Sequence, residues 1–578
     1  MNKAVPDHHH LCISLHADYR TCSPSCSIAL VHYDPISRRS DIDILSLIIR
    51  LFYFRRSMVP RLGTSACFAW ISTMWAMNEK YPELIFGLVG AIGTDLSQVE
   101  DALRNALASV GYIAVPIKLS DLMRELNPPW SEFPDKDHPD YYEKAMDAGN
   151  NLRAKLQDAG VLANLAIASI RRRRDKAGPE EERKVAYLLN SLKRPEEIDC
   201  LRRIYGPSVF IISAYSPRAA RVNRLATLLA ERQHENQSTA YRGKAEVLIT
   251  RDENEKSRFG QGVRKAYPLA DLFVRTSSVA GLRDSIDRFV DLLFGDSWKT
   301  PTRDEEGMAF ANLACLRSAS PARQVGASIT DDAGRILSVG TNEVAKPKGG
   351  QYWEGDIGDG RDFLYDDYDT SDKMRLNLLS DVIDRLRKLG RLSEDCPTNS
   401  ELLDPASESY KALRDAQLFD TIDFIRAVHA EASALFSAGY AARGATMYVT
   451  TFPCHECARH IVIAGIKRVV YVEPYPKSLV SELFRDSISV DADEQSDQRI
   501  QFVPFVGIAP SVYSQLFKLT PSRIRKQADG KIGKWSASSS FPHLSVSYSA
   551  KAARVAETAT IEVFTQKLVK EGIVNEQN

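Results

Sequence analysis

At 578 residues the chain is long enough for more than one domain. Its 75 basic and 75 acidic residues cancel, which excludes a globally basic nucleic-acid binder, although local patches remain open. A hydrophobic content of 44% is that of an ordinary globular protein, and nine cysteines in such a length do not make a disulfide scaffold.

Residues 1–76 hold five of the eleven histidines and four of the nine cysteines. Their apolar stretch Ile44 to Phe54 is interrupted by Arg50 and is too short to span a bilayer. With no small-residue cleavage site after a basic start, no secretory signal is expected. The segment reads as an irregular extension, or as a mis-assigned start with translation beginning at Met74 or Met77.

Residues 77–298 form a first unit. Glu83 to Asp95 reads as a strand running into a glycine-rich turn, with Gly87, Gly90, Gly93, Thr94 and Asp95 in sequence. Leu96 to Val110 then has the apolar spacing of an amphipathic helix. Such a turn can aim backbone N–H groups at phosphates. Compared with G-x-x-x-x-G-K-[ST], however, Thr94 stands at the lysine position, Asp95 at the Ser/Thr position, and Gly87 is one place off. Nucleotide binding without phosphoryl transfer is the expectation, beside a plain strand–turn–helix connection with no ligand. Lys184 to Leu192 and Val209 to Ser213 read as buried parallel strands, and Ala270 to Arg275 as another. Arg218, Arg221 and Arg224 fall on one helix face. Arg171 to Arg174 is followed by acidic residues and reads as a solvated helix end.

Residues 299–515 form a second unit. A helix over 304–318, a strand over 324–330, a turn at Asp331 to Gly334 and a strand over 335–342 come first. A long insertion, 345–420, follows: turn-rich and aromatic at its start, acidic in its middle, helical from Met374 to Leu389. An excursion of that length is usually functional or an interface. Asp423 to Leu435 has a helical pattern containing His429, Ala430 and Glu431. A strand, Thr446 to Thr451, then delivers Pro453 to a helix start carrying Cys454 and Cys457, and Arg468 to Val472 reads as a further strand. The tail, 516–578, is basic near Arg523 to Lys534 and is expected to pack on the second unit.

The chemistry concentrates in His429-Ala430-Glu431 and Pro453-Cys454-His455-Glu456-Cys457. This is the H-x-E…P-C-x-x-C pattern of zinc-dependent nucleobase deaminases. One imidazole and two thiolates fill three positions of a tetrahedral Zn2+ and leave the fourth open, as a catalytic site requires. No fourth Cys or His follows at ligand spacing, which argues against a closed structural site. Glu431 need not bind metal and is the candidate proton shuttle. The bland alternative is a core histidine with two unrelated reduced cysteines. A metal-binding thiolate pair implies a reducing, cytoplasmic location.

The segment from about Asp304 to Ser514 resembles cytidine and deoxycytidylate deaminases, the deoxycytidylate type in particular. The resemblance rests on Gln324-Val-Gly-Ala327, Gly340-Thr-Asn342 and the two zinc motifs. It implies a cytidine deaminase-like α/β/α domain in which Asn342 bonds the deoxyribose 3′-hydroxyl and the Ala430 N–H faces the cytosine carbonyl. It also implies Arg323 as a phosphate contact, and Lys477 for a distal phosphate. The first unit, through strings such as Ser191 to Gly206 and Gly260 to Phe273, resembles the degenerate P-loop kinase-like parallel-sheet domain fused to deaminases in bacterial anti-phage dCTP deaminases. Deamination of dCTP, dCMP or both, depletion of dCTP in antiviral defence, a homo-oligomer, control by a nucleotide such as dTTP at the glycine-rich turn, and an inhibitory RNA or protein are what these resemblances imply. A polynucleotide deaminase acting on tRNA or single-stranded DNA, and a nucleotide-sensing regulator with secondary catalysis, are the rival readings. No membrane partner is expected.

Overall fold

A computed structural model describes residues 81–574, except 127–129, 131, 177–183, 254, 256, 394, 415, 422–423, 475–477, 492–497, 522 and 545–548. Residues 1–80, and with them the expectations made for 1–76, lie outside the described residues, as does Lys477. Residues 78–578 are one compact unit. None of its described helices is long and apolar enough to cross a membrane.

Two six-stranded sheets organise that unit. The first contains β1 (Leu84–Val89), β2 (Ile113–Lys118), β3 (Val185–Leu192), β4 (Val209–Tyr215) and β5 (Leu272–Arg275) in the order 5-4-1-3-2, these five all parallel, with its sixth strand antiparallel at the β5 edge. β1 and β4 are almost wholly buried and read as continuous apolar runs, as strands covered on both faces do. The glycine-rich turn follows β1, the central strand, at the carboxyl edge where parallel sheets take ligands. The helix Leu96–Ser109 packs on the sheet through Val99, Leu103, Ala106 and Leu107, the spacing read from the sequence.

The second sheet comprises β6 (Gly326–Thr330), β7 (Ile336–Thr341), β10 (Thr446–Thr451), β11 (Arg468–Glu473), β12 (Ile488–Val490) and β13 (Ile500–Pro504) in the order 12-13-11-10-6-7. The hairpin β6–β7 is antiparallel, β10 joins β6 antiparallel, and β10, β11, β13 and β12 run parallel. A two-residue pair, β8 (Glu343–Val344) and β9 (Ala427–Val428), closes the base of the insertion.

The boundary drawn near residue 298 separates the sheets but not the cores. A last strand, β14 (Gly507–Ile508), crosses back and pairs antiparallel with β5 at the edge of the first sheet. Tyr448, Val470, Phe505 and Ile508 of the second half share one apolar cluster with the strands of the first. The tail also departs from expectation. Its helix, Ala550–Lys570, packs on the helices Val161–Lys176 and Pro195–Tyr205 of the first half rather than on the second. Arg523 and Trp535 donate to the backbone carbonyls of Leu292 and Phe294. Arg174, read as part of a solvated run, is buried because Glu83 and the tail's Glu557 both hold it, at 2.6 and 2.7 Å.

Candidate active site

Two helix starts build the site. The sequence pattern suggests one helix over 423–435, but β9 occupies 427–428 and the helix runs Ala430–Ala438. His429 is its N-cap, in extended backbone (φ −61°, ψ 152°), so its imidazole projects from a helix entry rather than from a helical face. Glu431 lies in the first turn and is 3% exposed. After β10, Cys454 caps the helix His455–Ala464, placing Pro453 just outside the cap. The Cys454 Sγ accepts the Cys457 backbone N–H at 3.4 Å, so one sulfur serves as both cap and candidate ligand.

His429 Nδ1 lies 3.3 Å from Cys454 Sγ and 3.4 Å from Cys457 Sγ. Zinc bonds of about 2.1 Å to nitrogen and about 2.3 Å to sulfur put tetrahedral ligand atoms roughly 3.6 Å apart. The donor set therefore fits zinc with small adjustment, and it is the one His/Cys/Asp/Glu group found with metal-binding geometry among the described residues. The hydrogen bond from Cys457, opposed by burial and aided by His429, holds the Cys454 thiol well below its usual range. The bond with the Cys454 thiolate, together with burial, pushes Cys457 up. Burial lowers His429, but Cys454 and Glu431 outweigh it and raise the imidazole to about 9. Burial, then the Cys454 charge, lifts Glu431 to about 7.

Asn342 follows β7, and its position depends on a close approach. A Cβ on Gly340 would lie 2.1 Å from the Ala430 carbonyl oxygen and 2.4 Å from the Ala434 nitrogen, so only glycine lets β7 lie against the histidine helix. Asn342 is buried and its Nδ2 donates to the Arg323 carbonyl at 2.9 Å. That bond fixes the amide's orientation and leaves Oδ1 buried with no hydrogen-bond partner. Arg323 pairs with Glu473 at 3.3 Å. Ala430 is fully buried behind the site.

His429, Glu431, Cys454, Asn342 and Arg323 line one cavity of about 540 Å³. Phe452 closes part of its wall, held edge-on to Tyr471 with ring centres 4.8 Å apart. The insertion supplies another wall, which the sequence pattern did not resolve into residues. Arg375 and Arg414 converge on Asp372 at 3.1 and 3.0 Å, and Arg426, just beyond the insertion, pairs with Asp362 at 2.7 Å. The helix Thr370–Lys388 that carries several of these has its own small core of Leu379, Ile383 and Phe419. Arg264, from the first half, also lines this cavity.

The glycine-rich turn lies elsewhere. Gly87 is inside β1, where a Cβ would meet Leu192 and Ile211; it serves sheet packing. The Ile92 N–H is taken by Asp252 at 2.6 Å, and Lys193 bridges Asp252 and the Gly90 carbonyl. Gly93 has φ +87° and lies against the Arg221 backbone. Burial raises the Asp95 pKa, but hydrogen bonds from Arg224, Ser97 and Gln98 outweigh it and hold the carboxyl at about 2. Gly93, Asp95 and Arg224 border a separate cavity of about 500 Å³ that Asp491 of the second half also lines.

Residues 301–473 match the family model described as the cytidine and deoxycytidylate deaminase zinc-binding region. A probable deoxycytidylate deaminase of Drosophila melanogaster is 27% identical over 203 residues, 34% of this chain and 73% of that protein. The deoxycytidylate deaminase of Enterobacteria phage T4 is 52% identical over 54 residues, 9% of this chain and 28% of that protein. A crystal structure of the cyanophage S-TIM5 dCMP deaminase in complex with dCMP and dUMP aligns with a TM-score of 0.19 at 18% identity, covering 36% of this chain and 99% of that one. Over residues 301–473 the second half of this chain is thus similar to the cytidine and deoxycytidylate deaminase zinc-binding region.

Proposed function

We propose that the chain is a zinc-dependent deaminase of deoxycytidine nucleotides, converting dCMP, dCTP or both to the deoxyuridine nucleotide and ammonia. The observation that carries the reading is that buried Glu431, His429, Cys454 and Asn342, whose Oδ1 has no partner, line one cavity, with Cys457 completing the donor set beside it. Zinc, when held by His429, Cys454 and Cys457, supplies the Lewis acidity that makes water nucleophilic at neutral pH. Glu431 takes a proton from water, places it on cytosine N3 and then carries the second to the departing amino group, so that water and a cytosine give a uracil and ammonia. Asn342 Oδ1 accepts the deoxyribose 3′-hydroxyl, which satisfies an otherwise unpaired buried acceptor. Phe452 offers an aromatic wall to the base.

In this reading the first half is a P-loop kinase-like domain without kinase chemistry, supported by its parallel sheet and by Thr94 at the lysine position. Because Asp252 already occupies the Ile92 N–H, a regulatory nucleotide such as dTTP is expected in the cavity beside Gly93, Asp95 and Arg224. Its effect would be read as a change in nucleotide affinity of about 5–150-fold. The role in antiviral defence rests on the sequence resemblance alone.

The test is product analysis after incubating the protein with dCMP, dCTP, CMP, CTP and an oligodeoxycytidine. Deoxyuridine mononucleotide products support the reading. Uracil appearing only in the oligonucleotide would replace it with polynucleotide editing.

A further inference from the structure

We propose that Gln351, at the start of the insertion, is a positioning residue that sets the distance between the metal donors and Asn342, and thereby how firmly the sugar 3′-hydroxyl is held. Gln351 is buried, and its amide stands where three segments of the site meet. Its Nε2 donates to the Thr341 carbonyl at 2.7 Å, the Glu343 carbonyl at 3.1 Å and the Val428 carbonyl at 3.4 Å. Thr341 directly precedes Asn342, and Val428 directly precedes His429. On the other side of the amide, Oε1 accepts from Arg317 and from the Ser433 hydroxyl at 3.2 Å. Ser433 is one turn into the histidine helix, and its N–H donates to the His429 carbonyl at 2.9 Å. The proposal rests on the deoxycytidine-nucleotide reading above and adds to it the residue that sets its sugar contact.

A local turn delivers the side chain. Lys348, Gly349 and Gly350 have φ of +71°, +102° and +77°, and the turn folds the chain back so that Gln351 bridges Ala345 antiparallel. The Lys346 N–H donates to the Gly350 carbonyl and the Tyr352 N–H to the Val344 carbonyl, both at 3.0 Å. Partners fix which way the amide points. Carbonyls only accept and a guanidinium only donates, so Nε2 faces Thr341, Glu343 and Val428 while Oε1 faces Arg317. The flipped amide would set oxygen against oxygen. Thr341 and Glu343 are 2% and 1% exposed, so removing the amide leaves buried carbonyls without a donor. Backbone pairing joins the same segments only through β8 and β9, with Glu343 opposite Val428. The Gln351 amide carries the tie further, to Thr341 on one side and to Ser433 on the other. Asn342 is thus held from two directions: its own Nδ2 on the Arg323 carbonyl, and Gln351 on the carbonyl just before it. Gln351 acts through Asn342 and His429 rather than by touching substrate.

The experiment uses calorimetry on the full-length zinc-loaded protein and needs no turnover. It compares dUMP or dUTP, whichever the wild type binds, with the 2′,3′-dideoxy counterpart, which lacks the 3′-hydroxyl. In the wild type the missing hydroxyl should weaken binding by about 10-fold, the order expected when a buried acceptor loses its donor. Gln351→Met fills a similar volume with no amide. It should keep about one zinc per chain by metal analysis. It should bind the dideoxy nucleotide within about twofold of wild type, while the preference for the 3′-hydroxyl falls to about threefold or less. Asn342→Ala should remove the same preference, and the two substitutions together should remove no more than Asn342→Ala alone. Should Gln351→Met not fold, Ser433→Ala, which cuts only the tie to the histidine helix, should lower the preference by about half or more. A preference unchanged in the variant measured, or lost only together with the zinc, makes Gln351 a support of the fold alone and overturns the proposal. So does a preference that survives Asn342→Ala. A wild type that deaminates dCMP or dCTP but shows no preference for the 3′-hydroxyl overturns this inference alone. One that binds neither nucleotide and releases no ammonia overturns the underlying functional reading as well.

Discussion

At the residue scale the functional division is between groups that hold metal and a group that moves protons. Cys457 is buried against His429 and Cys454, and serine cannot replace its soft thiolate. Cys457→Ser should therefore lose both zinc and turnover, as measured by metal analysis and ammonia release. Glu431 is buried beside these donors without belonging to the convergent set. Glu431→Gln should keep zinc and the thermal unfolding midpoint while turnover falls by about 10²-fold or more, the general acid–base range. Zinc loss matching that of Cys457→Ser would instead make Glu431 a ligand. These four residues were legible in the sequence because ligand spacing is local: two residues from His429 to Glu431, three from Cys454 to Cys457. Arg264, Asp372, Arg375 and Phe452 were not, because they reach the cavity by tertiary folding and share no short spacing with the metal motif.

At the element scale, strands with strong patterns fell where the sequence put them. β10 matches its expected bounds, β3, β4 and β11 lie within a residue or two of theirs, and β1 begins one residue after its expected start. The histidine helix is the informative miss. Alanine-rich spacing favoured a helix over 423–435, but β9 pairs with β8 and turns the chain at His429, which fixes the imidazole's direction. Tertiary pairing outweighed local propensity there. The close approach of β7 to that helix gives a test. Gly340→Ala forces a Cβ against backbone atoms that cannot swing away. It should destabilise by about 1–3 kcal/mol, the usual cost of overpacking, and weaken nucleotide binding through Asn342 two residues on. Unfolding and binding measurements on one preparation check both; an unchanged midpoint would show that β7 can retreat without cost.

At the scale of the whole molecule, charge buried between distant segments holds the tail to the first half. Arg174 donates to Glu83 and Glu557 in a region where Glu557 is 1% exposed. Arg174→Met would leave two carboxylates facing each other without their cation, a loss of about 3–5 kcal/mol for breaking a buried pair. A coincident fall in the unfolding midpoint and in the protease resistance of the tail is expected. His543, against Gly295 at the same seam, is kept neutral: burial, then the Arg523 charge, lowers it to about 4. An unfolded histidine titrates near 6.5. As pH falls from about 6.5 towards 4, the unfolded chain binds a proton that the folded chain refuses, so stability declines across that window. His543→Gln should flatten this part of the pH–stability curve relative to wild type; identical slopes would show that His543 is not responsible. The basic tail was expected on the second unit because composition reports charge without partners, whereas Arg523 is spent on the Leu516 and Leu292 carbonyls.

The central claim is that His429, Cys454 and Cys457 hold a zinc on which deamination depends. The measurement is ammonia release from dCMP and dCTP while zinc is titrated into protein stripped by a chelator. The account predicts no turnover at the start, then a rise that saturates at about one zinc per chain. Full turnover in the stripped protein, or zinc restored without any release of ammonia from either nucleotide, would contradict it.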